Sequence, residues 1–192
     1  LQVCQTESGG TCPADLPYQE MVLLPVEFEA ANFASVRLAT ALGIAVVEAA
    51  GNGAQDLRTR VDNTGASLFD VGSSGEKDSG AIVVGASDVL GTHSRRLSSN
   101  YGERVNCYAW GELVATTTDT VDAYIVDFSG TSAASAIIAG AAILVQAMAG
   151  ASLGYRFAPF HLREILSDPT RGTPSADPSV DQIGVMPDLE AI

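Results

Sequence analysis

A chain of 192 residues, 46% of them hydrophobic and 17% charged, can bury a core of its own, which excludes an intrinsically disordered segment. Its 23 acidic and 10 basic residues give a net charge of −13, a sign that repels phosphate backbones and anionic bilayers and so excludes nucleic acid and membrane surfaces as partners. No basic, apolar leader of secretory type opens the chain, and Leu1 is not expected to be a start of translation.

In chain order, Leu1-Gln2-Val3 reads as the end of a strand. Cys4 and Cys12 flank a short glycine-containing segment, where a bridge and two free thiols are both open. From Glu27 to Leu42, the residues Phe28, Ala31, Ser35, Leu38, Ala39 and Leu42 share one helical face, and Gly43 follows as a stop, which predicts an amphipathic helix. The apolar run Ile44 to Ala50 ends in Gly51-Asn52-Gly53, and a second run covers Ala81 to Ala86. Both suit strands buried on two faces. Cys107, inside the apolar stretch Val105 to Trp110, reads as a buried small hydrophobe.

Further on, Leu113 to Thr118 and Ala123 to Phe128 flank Asp119-Thr120-Val121-Asp122 and predict a hairpin. Ala133 to Ala149 approaches the length of a membrane span, but no basic or aromatic belt flanks it, so a helix packed tightly inside a domain is expected. Pro159 to Leu166 predicts a last surface helix, and Asp168 to Asp181 reads as loop. Helix and buried strands together predict an α/β fold, a mostly parallel sheet between helical layers. Without repeats or a linker, residues 1–192 are read as one domain.

Two segments carry chemistry. Acyl transfer by a serine needs a rigidly held hydroxyl, a base for its proton, and donors aimed at the developing oxyanion. In Phe128-Ser129-Gly130-Thr131-Ser132-Ala133-Ala134-Ser135 a strand ends, a glycine turns the chain, and a small-residue helix begins at or beside Ser132. The helix N-terminus favours negative charge there and leaves the Ser132 N–H free. Gly130 lets a substrate backbone approach. A plain N-cap is the structural alternative for Ser132, and a left-handed turn between two glycines is the alternative for Asn52.

Gly130 to Ser135, continued by Ile138-Ala139-Gly140-Ala141-Ala142, resembles the nucleophile motif of the subtilisin-like peptidases, with Ala136 where that family usually has proline. Val46 to Gly53 resembles the family's buried strand ending in Ala-Gly-Asn. The segments Ile82 to Ser87, Leu97 to Gly102 and Ala109-Trp110-Gly111 follow in family order, so the resemblance runs from about Val22 to about Leu189. It implies a three-layer α/β/α subtilisin-like fold, incomplete because its N-terminal strands are missing. It also implies a serine endopeptidase in which Ser132 is the nucleophile and Asn52 donates its side-chain amide to the oxyanion. Ala49, Ala50 and Gly51 would line the primary specificity pocket, and Gly130 and Thr131 would contact substrate beside the nucleophile. Polypeptide substrates, secretion and structural calcium are further implications. Asp56, Asp62 and Asp70 are available to calcium, although their spacing matches no known calcium loop; the chemistry itself needs no cofactor.

The resemblance also shows what is absent. Neither an Asp-x-Gly strand end nor a His-Gly-Thr-His helix start precedes Asn52. The two histidines, His93 in a polar loop and His161 in the last helix, are read as structural or solvent-exposed. The general base and its aspartate are therefore expected from outside this sequence, from the N-terminal part of the same peptidase, and the isolated chain is expected to be inactive and prone to aggregate. A non-catalytic peptide-binding scaffold is the rival reading. A dinucleotide site at Gly51-Asn52-Gly53 is excluded by Asp56, which stands where the fingerprint needs a glycine.

Overall fold

The computed structural model describes residues 2–5, 22–62 and 64–192. Cys12 lies outside them, and with it the question of a Cys4–Cys12 bridge. Two short strands, β1 (Gln2–Gln5) and β2 (Val22–Pro25), pair antiparallel. After a 3-10 turn at Val26–Phe28 comes helix α1 (Ala30–Ala41). The main sheet has the order β3 (Val47–Ala49), β4 (Ile82–Ser87), β5 (Cys107–Trp110), β9 (Val185–Pro187) and β8 (Gly172–Pro174). Every pairing in it is parallel except that of β8 with β9. All of β4 is buried, which explains why it is apolar from Ile82 to Ala86: a central parallel strand is covered on both faces.

Alternation along the strands divides the core. Ile82, Val84, Cys107 and Ala109 face helix α2 (Thr131–Leu153) and helix α3 (Pro159–Leu166), together with Ile138, Val145 and Leu162. On the opposite face Val83 and Tyr108 pack with Leu24, Phe28, Leu57, Phe69 and Ile183. The α/β class and the mostly parallel sheet expected from the sequence are found. The predicted hairpin is β6 (Val114–Thr117) with β7 (Tyr124–Phe128), and α3 has the expected bounds, opened by Pro159 in its first turn.

Other expectations need correction. The helix over Glu27 to Leu42 starts only at Ala30, because Val26–Phe28 form the 3-10 turn and Glu29 is extended. Its supposed apolar face is not covered: Leu38 is 62% and Leu42 71% exposed, while Thr40 is the buried residue, its hydroxyl bonded to the Ser79 and Arg37 carbonyls. Periodicity identifies residues that share a face but not whether anything packs on it.

Helix α2 is longer than expected and is not enclosed. Ala133, Ala134, Ile138, Ala142, Val145 and Ala149 lie on the sheet, while Ile143, Leu144 and Met148 are exposed. The presumed loop from Asp168 to Asp181 holds a 3-10 turn, β8 and a short helix α4 (Pro178–Asp181). Elements of three or four residues carry too few positions to show a period.

One buried charge network ties the sheet to α3. Arg104 pairs with Glu27 at 2.7 Å, both almost fully buried, and the Ser79 hydroxyl donates to Glu27. Asp78 takes a two-pronged bond from Arg163 at 2.7 and 2.6 Å. Glu48, on β3, lies buried with no donor from the described residues on either oxygen. Burial, and then the neighbouring Glu27 charge, raises its pKa well above the ordinary carboxyl value despite the opposing Arg104.

Candidate active site

The segment ahead of α2 is held at both ends. Gly130 caps the helix with φ 90°, a left-handed conformation that L side chains rarely adopt, and its N–H donates to the Gly111 carbonyl at 2.7 Å. A side chain there would also meet the amide of Asn52, whose Nδ2 lies 2.9 Å from the place of a Cβ. Ser132 is therefore not the N-cap; it stands one residue inside the helix, half-buried. Its N–H falls among the first four of the helix, which have no carbonyl partner one turn back.

Asn52 sits on the loop that leaves β3 and faces this helix start. Its Oδ1 accepts the Thr131 N–H at 2.9 Å and the Thr131 hydroxyl at 3.2 Å. The Thr131 hydroxyl oxygen in turn accepts the Gly51 N–H at 3.2 Å. The oxygen end of the amide is thus fixed on the helix N-terminus, and its Nδ2 end lies beside Gly130. The structure thus brings Gly51, Asn52, Gly130, Thr131 and Ser132 together.

Asn100 holds the loop from below, a residue that sequence reasoning missed. Fully buried, it donates from Nδ2 to the carbonyls of Leu23 (2.6 Å) and Ala50 (2.7 Å). Its Oδ1 accepts the N–H groups of Gly53 (3.0 Å) and Gln55 (2.9 Å). All four polar positions of the side chain are used. The available signal was an asparagine next to a glycine turn, which is also what an ordinary turn residue looks like.

Ala49 and Ala50 are buried, and Ala50 packs into the core beside Leu24 and Leu57. Its N–H donates to the Val84 carbonyl at 2.9 Å and its carbonyl is taken by Asn100, so its backbone too is already bonded.

Neither histidine reaches Ser132. The His93 ring meets Tyr108 edge-on at 6.0 Å, and Tyr108 belongs to the face of the sheet opposite α2. His161 packs on Phe157 at 4.7 Å, and Phe157 is fixed to Gln146, about 21 Å along α2 from Ser132 at the ordinary helical rise. Asp56 is engaged by Arg58 at 2.7 Å, and Asp62 caps its own turn through Thr64 and Ala66. Among the described residues no three His, Cys, Asp or Glu side chains converge to hold a metal ion.

The subtilase family matches the chain over residues 24–180. The chain belongs to the subtilase family. Among solved structures, this subtilase chain is similar to the self-cleaved protease domain of PatA, with a TM-score of 0.59 and 20% identity over 83% of this chain and 52% of that one. It is similar to the PatG macrocyclase in complex with peptide, with a TM-score of 0.62 and 16% identity over 100% of this chain and 48% of that one. The prenylagaramide maturation protease PagA gives a TM-score of 0.61 and 22% identity over 85% of this chain and 55% of that one. At these identities the likeness is one of fold. The subtilase chain spans about half the length of these structures. No curated protein matches it.

Proposed function

We propose that this chain carries the nucleophile and the oxyanion donors of a serine endopeptidase, and that the base and its orienting carboxylate come from polypeptide outside it. The observation that supports this most is the pair of hydrogen bonds that Thr131 donates to the Asn52 Oδ1, which orients the amide beside Ser132.

In this reading the Ser132 Oγ attacks a peptide carbonyl carbon and its proton passes to an imidazole. The carbonyl oxygen becomes an oxyanion held by the Asn52 Nδ2 and the Ser132 N–H, with the α2 N-terminus adding favourable field. Collapse breaks the C–N bond, the leaving amine takes the proton from the imidazole, and water then hydrolyses the Ser132 ester with the imidazole again as base. Substrate is polypeptide, and the missing Cβ of Gly130 makes room for the Asn52 amide that would meet it. The structural relatives are named as maturation proteases and a macrocyclase; in this chain the acyl-enzyme passes to water.

A fluorophosphonate tests it. The protein taken from its own cell, with whatever polypeptide it is bound to, is expected to be labelled at Ser132, and Ser132→Ala abolishes labelling. An intact, unlabelled Ser132 in that preparation would favour the scaffold reading.

A further inference from the structure

Asn52 and Gly53 form the one Asn-Gly pair in the sequence. Such a pair is open to a reaction of its own, because a glycine carries no side chain to keep its backbone nitrogen away from the neighbouring amide. The Gly53 nitrogen gives up its proton and bonds to the Asn52 Cγ, the Cγ–Nδ2 bond breaks, and Nδ2 leaves as ammonia. Water then opens the resulting succinimide at either carbonyl, which leaves aspartate or isoaspartate. Nothing but water is consumed.

The loop holds the electrophile and the nucleophile of this reaction in opposite states. Attack on Cγ places negative charge on Oδ1, and Oδ1 already accepts the Thr131 N–H at 2.9 Å and the Thr131 hydroxyl at 3.2 Å. Two donors aimed at that oxygen polarise the carbonyl and favour attack, as they do at any acyl carbon. The nucleophile, in contrast, is withheld. The Gly53 N–H donates to the Oδ1 of fully buried Asn100 at 3.0 Å, and the same oxygen takes the Gln55 N–H at 2.9 Å. A bonded N–H keeps its proton and points to Asn100, so cyclisation waits for this bond to open.

Replacing the glycine is no easy escape. A Cβ at Gly53 would meet the Leu23 nitrogen and the Gln55 Cγ at 3.1 Å and the Leu23 carbonyl oxygen at 3.2 Å. Asn52 itself is half-buried, so water reaches it once the loop opens.

We propose that Asn52-Gly53 is a deamidation site which Asn100 keeps closed, and that opening of this loop converts Asn52 irreversibly to aspartate or isoaspartate. The reaction stands without the function proposed above, but its consequence rests on that reading. A carboxylate in place of the Asn52 amide has no N–H to offer an oxyanion and repels it.

The test follows the protein, taken from its own cell with its bound polypeptide, during incubation in mildly alkaline heavy-oxygen water. Conversion at Asn52 is read by peptide mapping, with isoaspartate identified by enzymatic methylation. The folded parent is expected to convert about tenfold more slowly than the same chain unfolded in guanidinium chloride. Asn100→Asp keeps the acceptor for Gly53 and loses the donors to Leu23 and Ala50, so it should convert near the parent's rate. Asn100→Ala should convert about tenfold faster than the parent while its near-ultraviolet circular dichroism still shows a fold. Hydrogen exchange needs no variant, and in the parent it should find the Gly53 N–H protected. The proposal is overturned if the folded parent converts as fast as the unfolded chain, if a folded Asn100→Ala keeps the parent's rate, or if the Gly53 N–H exchanges as a free amide. Fluorophosphonate labelling of Ser132 should fall in step with conversion. Conversion with labelling unchanged supports the deamidation site and refutes the oxyanion role of Asn52.

Discussion

Thr131 donates both its backbone N–H and its hydroxyl to the Oδ1 of Asn52, so the residue before Ser132 sets the orientation of the amide across from it. Thr131→Val keeps the shape and the backbone bond but removes the hydroxyl, a loss of about 1 to 1.5 kcal/mol, or roughly tenfold in the rate of Ser132 acylation. Thr131→Ser should restore most of it. Asn52→Ala should cost on the order of 10²–10³ in kcat with little change in KM, a magnitude taken over from subtilisin. Steady-state kinetics of the assembled enzyme check all three.

Asn100 makes four hydrogen bonds to backbone groups of Leu23, Ala50, Gly53 and Gln55. Asn100→Ala leaves those groups without their partner inside the fold, at about 3 kcal/mol or more. A urea titration should show the lower midpoint. Asn100→Asp keeps the acceptor and loses both Nδ2 donors, and should fall between the alanine variant and the parent above the carboxylate pKa.

Glu48 predicts a loss of stability as pH rises. Its pKa in the folded chain is raised, first by burial and then by Glu27, so its contribution is fully present below the ordinary value of 4.5 and is lost as pH climbs through the raised one. Glu48→Gln cannot ionise and its amide can donate to Glu27. Its Tm should exceed the parent's at neutral pH, and the gap should shrink towards pH 4.5. A gap independent of pH would show that Glu48 is not the titrating group.

Asp78 behaves in the opposite sense. Burial works to raise its pKa, but the Arg163 guanidinium, the Gly80 N–H and the nearby arginine charges outweigh it and bring the value down to about 2. Its stabilisation is present above the ordinary 3.8 and is lost as pH falls towards 2. Asp78→Asn should lower the Tm at neutral pH and flatten the acid limb of the stability profile between those values.

The central strands were legible because burial imposes their pattern: Ile82 to Ala86 is apolar throughout because both faces of β4 are covered. The hairpin was legible from two β-prone stretches flanking a polar turn, without help from burial, since β7 is exposed along its whole length. The turn and helix start around Ser132 were legible for a different reason, since a turn with positive φ needs Gly130 and the helix behind it needs small residues against the sheet. Asn100 was not, because its four partners come from two distant stretches, at Leu23 and at Ala50 to Gln55, that no local pattern connects. The exposed side of α2 was misjudged for a related reason. A run of Ala, Ile, Leu and Gly looks the same whether the covering surface belongs to this chain or to another.

The most direct measurement is fluorophosphonate labelling of the protein isolated with its native partners, followed by peptide mapping. The account predicts one adduct, on Ser132, strongly reduced in Asn52→Ala and unaffected by Ser135→Ala. No adduct, or an adduct on another serine while Ser132 stays free, would contradict it.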